Sequence, residues 1–152
     1  MGELGGTGVT PPTPVDRAEL PGMEFDWLAA DAVGELAQML TSGIGKVPDA
    51  ALISEELPFE LHLHLDERPQ REPLGIPEGS FDALLAAPQR RGLYVFKALE
   101  SSWDAQGRAA LYRRVAALAQ PLLLGELPDH LRPVVARLDV RFSEVQTVEV
   151  LE

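Results

Sequence analysis

The sequence predicts an α+β fold, a mostly antiparallel sheet with two or three short helices packed on it. Short runs of aromatic, β-branched and aliphatic residues alternate with Gly- and Pro-bearing turns, which is the signature of strands. A few stretches carry helix-start signals, a Ser, Asp or Pro ahead of Ala and Leu. The two kinds of stretch are interspersed without regular βαβ spacing and without an internal repeat. At 152 residues and 45% hydrophobic content, the chain is the size of one ordinary domain with its own core.

Met1–Gly22 holds five Gly and four Pro with few large apolar groups. Such a stretch buries too little surface to offset its ordering entropy, so residues 1–22 read as a disordered or draped tail. The single domain then spans 23–152. Phe25–Ala30 puts Phe25 and Trp27 on alternate positions, Asp31–Gly34 supplies turn residues, and Glu35–Thr41 alternates again. Two short strands around a turn follow, with Leu36, Gln38 and Leu40 on one face and Ala37 and Met39 on the other. Ser42–Pro48 is a loop in which Gly43 and Gly45 are expected to take positive φ. Pro48–Ile53 starts a short helix, since Pro and Asp both suit a first turn.

Leu61-His62-Leu63-His64-Leu65 alternates strictly, which predicts a strand with leucines on one face and histidines on the other. The alternative is a helix continuing from Ser54, with Ser54 and Leu57 in a capping arrangement and Pro58 against it. Asp66–Gly79 is a loop broken by Pro69, Pro73 and Pro77. Ser80 caps a helix over Phe81–Ala87, ended by Pro88. Gly92–Leu99 has the highest β-propensity in the chain, and Trp103–Gly107 is a turn. Arg108–Ala119 stays open, because its Ala, Leu and Arg content favours helix. Pro128–Leu138 reads as a helix distorted by Pro133, and Val140–Val150 as a final strand with one bulge. Trp27, Tyr94 and Phe142 are expected in the core, with Trp103, beside a turn, the one that could face solvent.

Charge is unevenly placed. Between Glu19 and Glu67 there are eleven carboxylates and one cation, Lys46, whereas the chain from Arg68 onward is balanced. Nearly all of the net charge of −11 therefore comes from one segment, which can project a directional negative field. This acidity speaks against nucleic acid and anionic membranes as partners, since both need surplus Lys and Arg. The apolar runs, such as Val115–Ala119 and Leu122–Leu124, are too short to cross a bilayer. No basic and then apolar leader opens the chain, and there is no cysteine, so a cytoplasmic location is expected. The lack of cysteine also excludes disulfides, thiolate metal sites and a cysteine nucleophile.

Motifs for chemistry are thin, and no cofactor is expected. Gly43-Ile44-Gly45-Lys46 has the outline of a phosphate loop, but Leu40 and Val47 stand where that loop needs Gly and Ser or Thr. On a strand, His62, His64 and Asp66 would share one face and offer two imidazoles and a carboxylate to zinc or iron. A solvent-facing strand edge is the plainer reading of the same residues. Without a nucleophile motif, an enzyme is not expected.

Asp26-Trp27-Leu28-Ala29-Ala30-Asp31, Gly34, Leu36-Ala37, Thr41-Ser42-Gly43, Gly45 and Val47-Pro48 together resemble the opening of a group of small, poorly characterised bacterial α+β proteins. Gly92-Leu93-Tyr94-Val95-Phe96, Tyr112, Pro121-Leu122, Leu127-Pro128 and Phe142 resemble that group's second half. The resemblance covers about residues 25–48 and 92–149 and implies a strand around Tyr112–Ala116. Some members resemble immunity proteins encoded beside secreted polymorphic toxins, and no catalytic residue is carried over. The expected function is a non-enzymatic, acidic protein-binding module, plausible as an immunity-type inhibitor of a basic toxin. Its contacts would be Asp49, Glu55, Glu56, Glu60, Asp66 and Glu67. The alternatives are a metal-binding protein or enzyme using His62, His64 and Asp66, and a structural or regulatory domain whose acidity serves solubility.

Overall fold

A computed structural model describes residues 13–73, 79, 85–116 and 118–152. Among the described residues six strands form one sheet: β1 (Trp27–Ala30), β2 (Leu36–Leu40), β3 (Tyr94–Ala98), β4 (Leu111–Ala116), β5 (Ala136–Arg137) and β6 (Thr147–Glu149). Their spatial order is β5-β1-β2-β3-β4-β6. The helix α1 (Glu56–Asp66) lies between β2 and β3 in the chain, and several 3-10 turns join the other described residues. The α+β class holds, but the sheet is mixed rather than mostly antiparallel. β1–β2, β3–β4 and β4–β6 run antiparallel, whereas β2–β3 and β1–β5 run parallel. The parallel β2–β3 pair follows from its connection, because the chain leaves the end of β2 and must cross back before β3 can begin beside it. That crossing carries α1.

The first hairpin forms as expected, with Trp27 opposite Met39 and Ala30 opposite Leu36. Asp31 builds its turn, accepting from the backbone N–H groups of Val33 (3.1 Å) and Glu35 (2.9 Å). Both faces of this hairpin are covered. Trp27, Ala29, Ala37 and Met39 join Tyr94, Phe96, Tyr112 and Phe142 on one side. Leu28, Ala30 and Leu36 meet Leu61 and Leu65 of α1 and the stretch from Leu122 to Val135 on the other. Burial on two faces explains why these strands carry few polar side chains. Ahead of β1, Leu20 is buried and the Val15 N–H donates to the Leu52 carbonyl at 2.8 Å, so Thr13–Gly22 drapes over the first of these cores.

Four expectations need correction. Leu61–Leu65 is helical, not a strand. Ser54 Oγ accepts from the N–H groups of Glu56 (3.1 Å) and Leu57 (3.0 Å), which caps the first turn. Pro58 falls within that turn, where a missing N–H costs no intrahelical bond. Leu61 and Leu65, one turn apart, face the core, and Leu63 faces out. Second, Val140–Val150 is not one strand but a 3-10 turn at Phe142–Glu144 followed by β6. The Asp31 carboxylate accepts the Phe142 N–H at 3.0 Å and fixes the chain there. Third, Pro128–Leu138 yields a 3-10 turn at Asp129–Val134, with Pro133 inside it, and then β5. Fourth, Gly43 takes φ +78°, but Gly45 does not need positive φ. A Cβ on Gly45 would overlap the Tyr112 phenol, its ring carbon Cζ lying at 2.6 Å.

Within Arg108–Ala119 the residues Leu111–Ala116 form β4, the strand that the resemblance implied, with Tyr112 buried and its hydroxyl donating to the Lys46 carbonyl at 2.8 Å. Pairing with β3 and β6 outweighs local helix propensity there. The helix expected over Phe81–Ala87 from Ser80 lies outside the described residues at 80–84. Among the described residues no helix is long and apolar enough to cross a membrane.

Candidate docking face on the acidic helix

At about 100° per residue, α1 lines up Glu56, Glu60, Leu63 and Glu67 on the side away from Leu61 and Leu65, with Phe59 and Asp66 on the same side's flank. Phe59 is 68% exposed and Leu63 48%, and Ile53, just ahead of the helix, is 40% exposed. Large apolar side chains left in water among carboxylates have no folding rationale in this helix, whose inward stripe is already filled. Its outward surface is thus acidic and apolar together.

The six predicted contact residues fall into three groups. Glu55, Asp66 and Glu67 are exposed, and among the described residues no cation is within ion-pair distance of them. Glu56 and Glu60 share the outward face with Glu67 but are engaged. Glu56 accepts from the Thr13 N–H at 2.9 Å and from Ser54 Oγ at 3.2 Å, and the Thr13 N–H is the main cause holding its carboxyl below the ordinary value. Glu60 Oε1 is 2.7 Å from His130 Nε2. Asp49 stands apart, on the 3-10 turn Asp49–Leu52, paired with Arg17 at 2.6 Å. Asp66 and Glu67 also sit at the negative end of the helix dipole, where a carboxylate is locally unfavourable.

The helix dissolves the expected metal group. His62 and His64 are about 200° apart on α1 and open onto different sides. His62 and Asp66, one turn apart, line a cleft of about 120 Å³ at one side of the helix with Gln38, Leu65, Ala87, Pro88, Arg91 and Leu93. His64 lines a groove of about 300 Å³ between α1 and the Asp129–Val134 turn. Among the described residues no group of three His, Cys, Asp or Glu could hold a metal ion. Phe59, Leu63 and His130 were not anticipated as part of any surface, since a strand reading sends all three leucines one way. A helical wheel drawn from Ser54 is the signal that finds the stripe.

Asp26, close to His62, is half-buried, and its carboxyl pKa is raised from 3.8 chiefly by desolvation, with His62 acting in the opposite direction. The folded protein therefore holds the Asp26 proton more tightly than the unfolded chain does. Asp26 contributes most below pH 3.8, and that contribution is lost as pH rises through the raised folded value. Asp26→Asn is expected to gain stability relative to wild type on going from pH 3 to pH 7, read from paired urea titrations. A difference independent of pH would contradict this assignment.

Comparison with protein-family models, with curated proteins and with solved structures finds no match for this chain.

Proposed function

We propose that this chain is a non-enzymatic protein-binding module that meets a basic protein through the outward face of α1. The observation that carries the reading is the placement of five of the six predicted acids on α1 and its flanks, around exposed Phe59 and Leu63. Apolar anchors supply affinity at the centre of an interface, and surrounding charges supply steering and choice of partner. The position of Asp66 and Glu67 against the helix dipole supports a role in recognition rather than in folding. An immunity-type inhibitor of a basic toxin is the specific form of this proposal. A protein that acts on nucleic acid presents a cationic surface to phosphates, and an acidic face of this kind can occupy it.

The test is affinity capture on immobilised wild-type protein and on the variant E55K/D66K/E67K. Wild type is expected to retain a basic protein that high salt releases, and the variant to lose it. Equal retention on both would remove α1 from the interface.

A further inference from the structure

Resting on the reading of α1 as a docking face, we propose that the groove between α1 and the Asp129–Val134 turn is a socket for an arginine side chain of the partner. Glu60, Leu63, His64, Glu67, Pro128 and Leu131 line it, with His130 at the Glu60 side. Its chemistry is that of a long side chain with a cationic end. Leu63, Pro128 and Leu131 offer apolar walls to a methylene stem, and Glu60 and Glu67, two helical turns apart, offer carboxylates to the head.

Both acids have capacity left. His130 engages Oε1 of Glu60, and Oε2 has no hydrogen bond among the described residues. Glu67 has no described cation in reach. Two features favour arginine over lysine. A guanidinium is less strongly hydrated than an ammonium and loses less on entering a partly apolar groove. It also stacks on flat rings, and two imidazoles, His64 and His130, flank the space.

The probes are N-acetyl-arginine amide and N-acetyl-lysine amide, titrated into isotope-labelled protein. The Leu63 methyl and the His64 and His130 ring signals are the readout. Saturable shifts are expected with the arginine amide, at least about threefold tighter than with the lysine amide. E60Q/E67Q is expected to abolish them, and E149Q, on β6 at the edge of the sheet and outside the groove, to leave them intact. No saturable shift, equal response to both amides, or shifts that survive in E60Q/E67Q would each overturn the socket. If the captured basic protein still associates with strong salt dependence while the arginine amide fails to bind, the socket falls and the docking face stands. Loss of salt-dependent association removes the face itself.

Discussion

Phe142→Ala is expected to destabilise the protein by about 3–5 kcal/mol, a large share of the roughly 5–15 kcal/mol that holds a domain of this size together. Phe142 is fully buried, with its ring centroid 5.2 Å from that of Phe96 and 5.7 Å from that of Tyr94. Truncation removes both aromatic contacts and leaves a cavity between β3 and the turn at Phe142–Glu144. The backbone bonds at this residue, its N–H to Asp31 and its carbonyl from Arg114 at 3.0 Å, do not depend on the side chain. They hold the turn in place and prevent it from closing the gap, so relief by collapse is limited. Urea denaturation checks this as a lower midpoint at unchanged slope. A loss under about 1 kcal/mol would place Phe142 outside the core.

The second large effect concerns association. E55K/D66K/E67K is expected to slow binding to the captured basic protein by about 10- to 100-fold at low ionic strength. These three carboxylates have no described cation partner, so reversal breaks no ion pair among the described residues. At positions 66 and 67 a lysine suits the helix's negative end better than the native acid does. The variant is therefore expected to fold, with an unchanged far-UV circular dichroism spectrum, and the loss to appear in the on-rate. Glu56 is left alone because its carboxylate accepts from the Thr13 N–H and from the hydroxyl of Ser54, the residue that caps the helix.

Where local chemistry decides, the fold was legible in the sequence. The β1–β2 hairpin follows from Trp27, the Asp31–Gly34 turn and the alternation after it, and β3 follows from Tyr94–Phe96. The buried positions of Trp27, Tyr94 and Phe142 and the exposure of Trp103 also match expectation. Legibility failed where one pattern fits two periods. Leu61, Leu63 and Leu65 satisfy a strand's alternation, yet Leu61 and Leu65 also satisfy one helical turn, and the Ser54 cap tips the balance. Arg108–Ala119 stays open for the opposite reason, since propensity favours helix, the resemblance implies a strand, and long-range pairing with β3 and β6 makes β4. Phe142 reads as core from its residue type, but nothing local reveals that Asp31 will hold its N–H in a turn rather than a strand. For the candidate face, the acids were named from charge alone. The gathering of five of them on and beside α1, with Phe59 and Leu63 exposed among them, emerges only once the segment is helical.

The most direct measurement of the docking claim is the association rate with the captured basic protein as a function of ionic strength, for wild type and E55K/D66K/E67K. The account predicts a steep fall with salt for wild type and a much shallower one for the variant, with the two rates converging at high salt as screening removes the field. Superimposable salt dependences for the two proteins would contradict it.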